Sequence, residues 1–205
     1  MKRPARAPLP LVTVALAVAT LAVYGLELAG DGQAVCAAYG LVPARPSFGT
    51  ALTSMWLHDP STFWHAGGNV VALTLFGAIV ERSLGHARFV LLYLAGGIGA
   101  AAFHALANPG SLVPEVGASG PIFAVMAAAA MIRPRLVGFA ATFAALNVWE
   151  VLTGTGGTVA VAAHVGGFVT GFVVTAVVFR WQLAEVRGWR PVSRRARQAG
   201  ALAPV

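Results

Sequence analysis

A serine hydroxyl and a neutral imidazole can together carry out acyl transfer, because the ring takes the hydroxyl proton as the oxygen attacks a carbonyl. Ser119 and His164 are the residues of this chain placed to do so. Ser119 lies in Gly117-Ala118-Ser119-Gly120-Pro121. The flanking glycines allow a sharp loop-to-helix turn and close backbone approach to a ligand. Pro121 suits a first helical turn, where a missing N–H costs nothing. Ser119 is therefore expected to open a helix, whose free N–H groups favour a developing negative charge. His164 begins His164-Val165-Gly166-Gly167-Phe168-Val169-Thr170-Gly171. On a helix His164, Gly167 and Gly171 share one face, and small residues there admit a close neighbour. Gly120, Ala124 and Ala128 form a matching stripe. If the stripes meet, the hydroxyl and the ring come within hydrogen-bond distance, with Phe123 against the imidazole.

Depth brings two further polar residues to the same level. Ser119 lies 14 residues from Arg133, His164 16 from Arg180 and Asn69 12 from Glu81. As helices these spacings correspond to about 21, 24 and 18 Å above the charged ends. His65 stands one turn from Asn69 on the same face. Polar side chains at such depth pair with one another or face water. Taken singly, the serine could bond its own backbone, the histidine could pack or relay protons, and the asparagine could join two helices.

The elements that hold these residues are set by composition. The 205 residues are 58% hydrophobic and 10% charged, with a mean hydropathy of +0.75. A soluble domain carries about 25% charged residues, so the main solvent is lipid. The formal net charge of +7 does not imply nucleic acid. Every Lys and Arg except Arg45 falls in one alternating set of connections, and Asp31, Asp59, Glu115 and Glu150 fall in the other. That is the pattern of a basic cytoplasmic face.

Six apolar segments are expected, at Leu9–Leu28, Phe63–Val80, Ala87–Ala107, Ser119–Ile132, Leu136–Leu152 and Thr158–Phe179. The fold class is an all-α polytopic membrane protein with six transmembrane helices. It divides into a basic cytoplasmic N-terminus (1–8), a membrane domain (9–180) and a basic cytoplasmic tail (181–205), disordered and near anionic headgroups. The first segment is read as an uncleaved signal-anchor, with a cleaved signal as the alternative. The long outer loop Ala29–Thr62 is expected to be structured and functional. Thr153–Gly157, TGTGG, is expected to be an outer hinge. The fourth segment would rise only about 21 Å against about 30 Å of hydrocarbon. Its outer end should therefore lie below the membrane surface, in a water-filled indentation open to the outside. The lone Cys36 cannot form an intrachain disulfide.

With these residues in view, the chain resembles the rhomboid family of intramembrane serine proteases. The resemblance rests on His65-Ala66-Gly67-Gly68-Asn69, on Gly77…Glu81…Gly85, on Gly117-Ala118-Ser119-Gly120 and on Ala163-His164…Gly167…Gly171, preceded by Leu57-His58. It covers roughly Leu52 to Phe179 and implies a six-helix core. Residue by residue it implies Ser119 as nucleophile and His164 as general base. It implies an oxyanion hole from His65, Asn69 and the Ser119 N–H, with Gly117, Gly120, Phe123 and Gly167 packing the site. Phe123 stands where the family often has Tyr, and the Trp-Arg pair of some members has no match near Thr50–Leu52. The implied substrate is a single-span membrane protein that enters sideways near the fifth helix, unwinds, and is cut after a small residue.

No cofactor or metal is expected, and the partners are the substrate and the bilayer. With no acid at the depth of His164, a dyad is expected. A zinc site built from His58, His65, His104 and His164 is the first rival, although no HExxH string is present. A transporter, or a catalytically silent relative that binds clients, is the second. The expected location is the inner cell membrane, with both termini cytoplasmic and the site opening outward. Oligomeric state is not legible.

Overall fold

A computed structural model describes residues 9–153 and 160–187. The basic start (1–8), most of the TGTGG hinge and the tail beyond 187 lie outside the described residues. Among the described residues the chain is all helix and loop, with one isolated bridge between Leu41 and Glu115.

The first span is α1 (Leu11–Ala29). The outer loop folds into α2 (Gly32–Tyr39), α3 (Phe48–Thr53) and a 3-10 turn at Ser54–Trp56. Ser47 and Thr50 form a reciprocal capping box at the start of α3, which satisfies two backbone donors that a helix start leaves free. The second span is α4 (Phe63–Ala72), a π turn at Leu73–Gly77 and α5 (Ala78–Leu84). It is followed by α6 (His86–Ala107), α7 (Ser119–Ile132), α8 (Val137–Thr153) and α9 (Ala160–Val173). A π turn at Val174–Val178 and α10 (Arg180–Val186) complete the described chain. Among the described residues four helices are long and apolar enough to cross a membrane: Leu11–Ala29, Phe63–Leu84, His86–Ala107 and Val161–Val178. The shorter α7 and α8 fall at the expected fourth and fifth segments.

The second span runs past its expected end at Val80 because Glu81 is turned inward. Its carboxylate accepts from the N–H groups of Val12 and Thr13 at 2.8 and 2.7 Å, and from the Thr13 hydroxyl at 2.6 Å. The first N–H groups of a helix have no partner within it, and a buried carboxylate from another helix supplies one here. His86 Nδ1 lies 2.5 Å from the same carboxylate. Gly85, at φ +85°, turns the chain between α5 and α6, a conformation that favours glycine at a helix end.

The centre of the bundle is α7, buried at every position from Gly120 to Ala130. A helix that is apolar on all sides belongs inside. It lies between α6 and α9, and small residues set the spacing. A Cβ on Gly96 would meet that of Ala124, one on Gly167 the Gly120 carbonyl oxygen, and one on Gly171 the backbone of Ala124. Lipid offers no hydrophobic gain for burying such surfaces, so close contact of small residues holds the helices together. Val14, Val18, Leu91, Phe103 and Val177 are exposed, as side chains facing hydrocarbon are.

Candidate active site

The close contact of α7 and α9 brings Ser119 to His164. The Ser119 Oγ lies 2.8 Å from His164 Nε2, a normal O–H···N hydrogen-bond distance. The Phe123 ring stacks on the imidazole, with centroids 4.2 Å apart and planes 10° from parallel. Ser119 is the first residue of α7, so its N–H has no intrahelical acceptor. The hydroxyl, ring and stacking partner therefore occupy the arrangement expected from the two small-residue stripes.

His65 and Asn69, on one face of α4, join them in a cavity of about 920 Å³ that also includes Ser119 and His164. The Asp59 N–H donates to His65 Nδ1 at 3.1 Å, which assigns the ring proton to Nε2 and makes that nitrogen a donor. Nε2 faces the Ser119 turn: a Cβ built on Gly117 would stand 2.8 Å from it. Gly117 also has φ +136°, so its residue type is fixed by both space and backbone. The Asn69 side-chain nitrogen is buried and unpaired among the described residues. Burial tends to raise the Asp59 pKa, but hydrogen bonds from Ser61, with the neighbouring His65 and Gln33, together outweigh it and hold the carboxyl below its ordinary value.

Three contributors escaped the sequence reading. The buried His58 accepts the Ala118 N–H on Nε2 at 3.5 Å and meets the His65 ring edge-on at 5.1 Å. Burial, then the neighbouring His65, push its pKa down to about 4 against the pull of the Trp56 carbonyl. It is therefore a neutral acceptor. The Ser54 carbonyl accepts the Gly117 N–H at 2.9 Å. Between them these groups pin the turn that delivers Ser119. The third is Glu115, in the cavity wall. Only the Leu57-His58 pair offered a sequence signal for any of them.

The four outer histidines do not converge on one point, although His58 touches His65. His104 lies near Asn108, His58 holds the Ala118 N–H, and no group of three His, Cys, Asp or Glu converges on a metal position among the described residues. A second cavity, of about 530 Å³, lies between α7, α8 and α9 and also reaches His164. Apart from His164 and Arg187 its walls are apolar. Residues of α8 border both cavities: Leu146 the larger, Val137, Ala140 and Ala141 the smaller.

No curated relative matches the chain. A family model described as Rhomboid domain matches residues 45–181. The match runs from the outer loop through the last span, more than half of the chain, and includes His65, Asn69, Ser119 and His164. The chain is thus a multi-pass membrane protein that belongs to the rhomboid family, which holds intramembrane serine proteases and inactive relatives.

Proposed function

We propose that this protein is an intramembrane serine endopeptidase that hydrolyses peptide bonds in or near the transmembrane segments of single-span proteins. The observation that carries the reading is the 2.8 Å contact between Ser119 Oγ and His164 Nε2. A free serine hydroxyl is a poor nucleophile, and a hydrogen-bonded neutral imidazole is what activates it.

In the first step Ser119 Oγ attacks the scissile carbonyl while His164 Nε2 takes its proton. The carbonyl oxygen becomes an oxyanion, stabilised by His65 Nε2–H, the Asn69 amide and the Ser119 N–H. The free Asn69 nitrogen and the inferred His65 proton support that assignment, since donors aimed in advance at developing charge are the largest single catalytic effect in most acyl transfers. The C–N bond then breaks and His164 returns the proton to the leaving amine. Water, deprotonated in turn by His164, hydrolyses the acyl-serine. Phe123 holds the ring in plane through both halves.

The substrate enters from the bilayer beside α8, which borders both cavities that reach His164. Both termini are cytoplasmic and the large cavity opens to the outside of the inner cell membrane, as the basic residues of the inner connections support. A fluorophosphonate tests the nucleophile directly. It should label wild-type protein at Ser119, fail on Ser119→Ala and label His164→Ala at least a hundredfold more slowly. Equal labelling of all three proteins would refute the reading.

A further inference from the structure

Glu115 sits in the wall of the large cavity, between Pro114 and Val116, which also line it. Its backbone is fixed: the Glu115 N–H donates to the Leu41 carbonyl at 2.8 Å and its own carbonyl accepts the Leu41 N–H at 2.9 Å. Its carboxyl has no hydrogen-bond or ion-pair partner among the described residues. The other carboxyl of the cavity, Asp59, is engaged by the Ser61 N–H at 2.9 Å and by the Gln33 amide at 3.5 Å. Among the described residues no Lys or Arg lines this cavity. Burial pushes the Glu115 pKa up to about 8, and no group among the described residues compensates the charge. A half-buried carboxylate without a partner is stabilised most by a cation placed beside it.

Resting on the proteolytic reading above, we propose that Glu115 is a specificity-determining residue that accepts a Lys or Arg side chain of the substrate within four residues of the scissile bond. The distance limit follows from the chain. Glu115 precedes Ser119 by four residues, which span at most about 14 Å when extended. An extended substrate with its scissile carbonyl at Ser119 covers the same distance in the same number of residues. A cationic side chain that reaches Glu115 draws off its proton and forms a charge-assisted pair in the cavity wall. Such hydrogen bonds discriminate by roughly ten- to a hundredfold.

The test is a series of single-span substrates that differ only in carrying Lys, Met or Glu at each of four positions on either side of the cut. At one or two positions wild type should cleave the Lys substrate with roughly tenfold or higher kcat/KM. Glu115→Gln should bring that ratio near one, and Glu115→Lys should instead favour Glu over Met at the same position, an inversion that a merely structural role would not produce. A readout that needs no variant is the Lys-to-Met ratio of wild type between pH 6 and 9. Asp59, His65 and His164 face the same cavity but act on both substrates, so their titration cancels in the ratio. That ratio should climb with pH as the Glu115 proton becomes easier to displace. A wild type with no Lys preference at any position, a preference that survives both substitutions, or a pH-independent ratio overturns the assignment. If wild type cuts both substrates equally, only Glu115 is misassigned; if it cuts neither, the proteolytic reading falls with it.

Discussion

The His58 ring and the Ala118 N–H, 60 residues apart in sequence, meet at 3.5 Å beneath the turn that presents Ser119. The ring can accept only while neutral, and its folded pKa of about 4 lies below the ordinary 6.5. The unfolded chain therefore binds more protons than the folded one between those values. The stabilisation is fully present above about pH 6.5 and is lost as pH falls toward 4. In His58→Ala the Ala118 donor is left buried, at about 1–3 kcal/mol. Melting of detergent-solubilised wild type should fall below pH 6.5, and the variant should show a shallower fall over the same range.

At the inner end, Glu81 is the only acceptor described for the first two N–H groups of α1 that it binds. Glu81→Ala leaves those donors, the Thr13 hydroxyl and His86 without it. Destabilisation of about 2–3 kcal/mol is expected. Glu81→Gln should lose less, because a neutral amide oxygen still accepts. Thermal denaturation of the two variants side by side checks the order.

Gly167 lies against the Gly120 backbone, so an added side chain meets main-chain atoms that cannot rotate away. Gly167→Val should cost about 1–3 kcal/mol and move α9 off α7. The larger effect is on the dyad, since Ser119 and His164 stand on those two helices. Fluorophosphonate labelling should fall far more than the melting temperature does. Val at Gly25 of α1, where a Cβ would meet nothing within 4 Å, is the control for folding.

Asn69 contributes a buried amide nitrogen with no other partner among the described residues. Asn69→Ala should lower kcat by about 10²–10³ and leave KM nearly unchanged, because the oxyanion exists only past the ground state. A matching loss in KM would place Asn69 in substrate binding instead.

Much of this arrangement was legible because apolar length and polar depth are one-dimensional properties. The start of α7 at Ser119 follows from Gly-Ala-Ser-Gly-Pro, and the contact of α7 with α9 follows from Gly120, Gly167 and Gly171. The stacking of Phe123 on His164 follows from its place one turn below the serine. What could not be read were contacts that depend on folding of the long outer loop. His58 looked like one of four possible metal ligands, and only its burial against Ala118 shows it as part of the serine turn. Glu115 read as an outer charge, since its place in the cavity wall is set by pairing with Leu41. The π turn at Leu73–Gly77 has no compositional mark, and Glu81 read as the cytoplasmic end of a span rather than the cap of another.

The most direct measurement is cleavage of a model single-span substrate by purified wild type, Ser119→Ala and His164→Ala in detergent or proteoliposomes. Wild type should release two fragments, and each variant should be slower by several orders of magnitude while still melting cooperatively. Equal cleavage by all three, or binding of the substrate by a wild type that never cuts it, would contradict a Ser119–His164 protease.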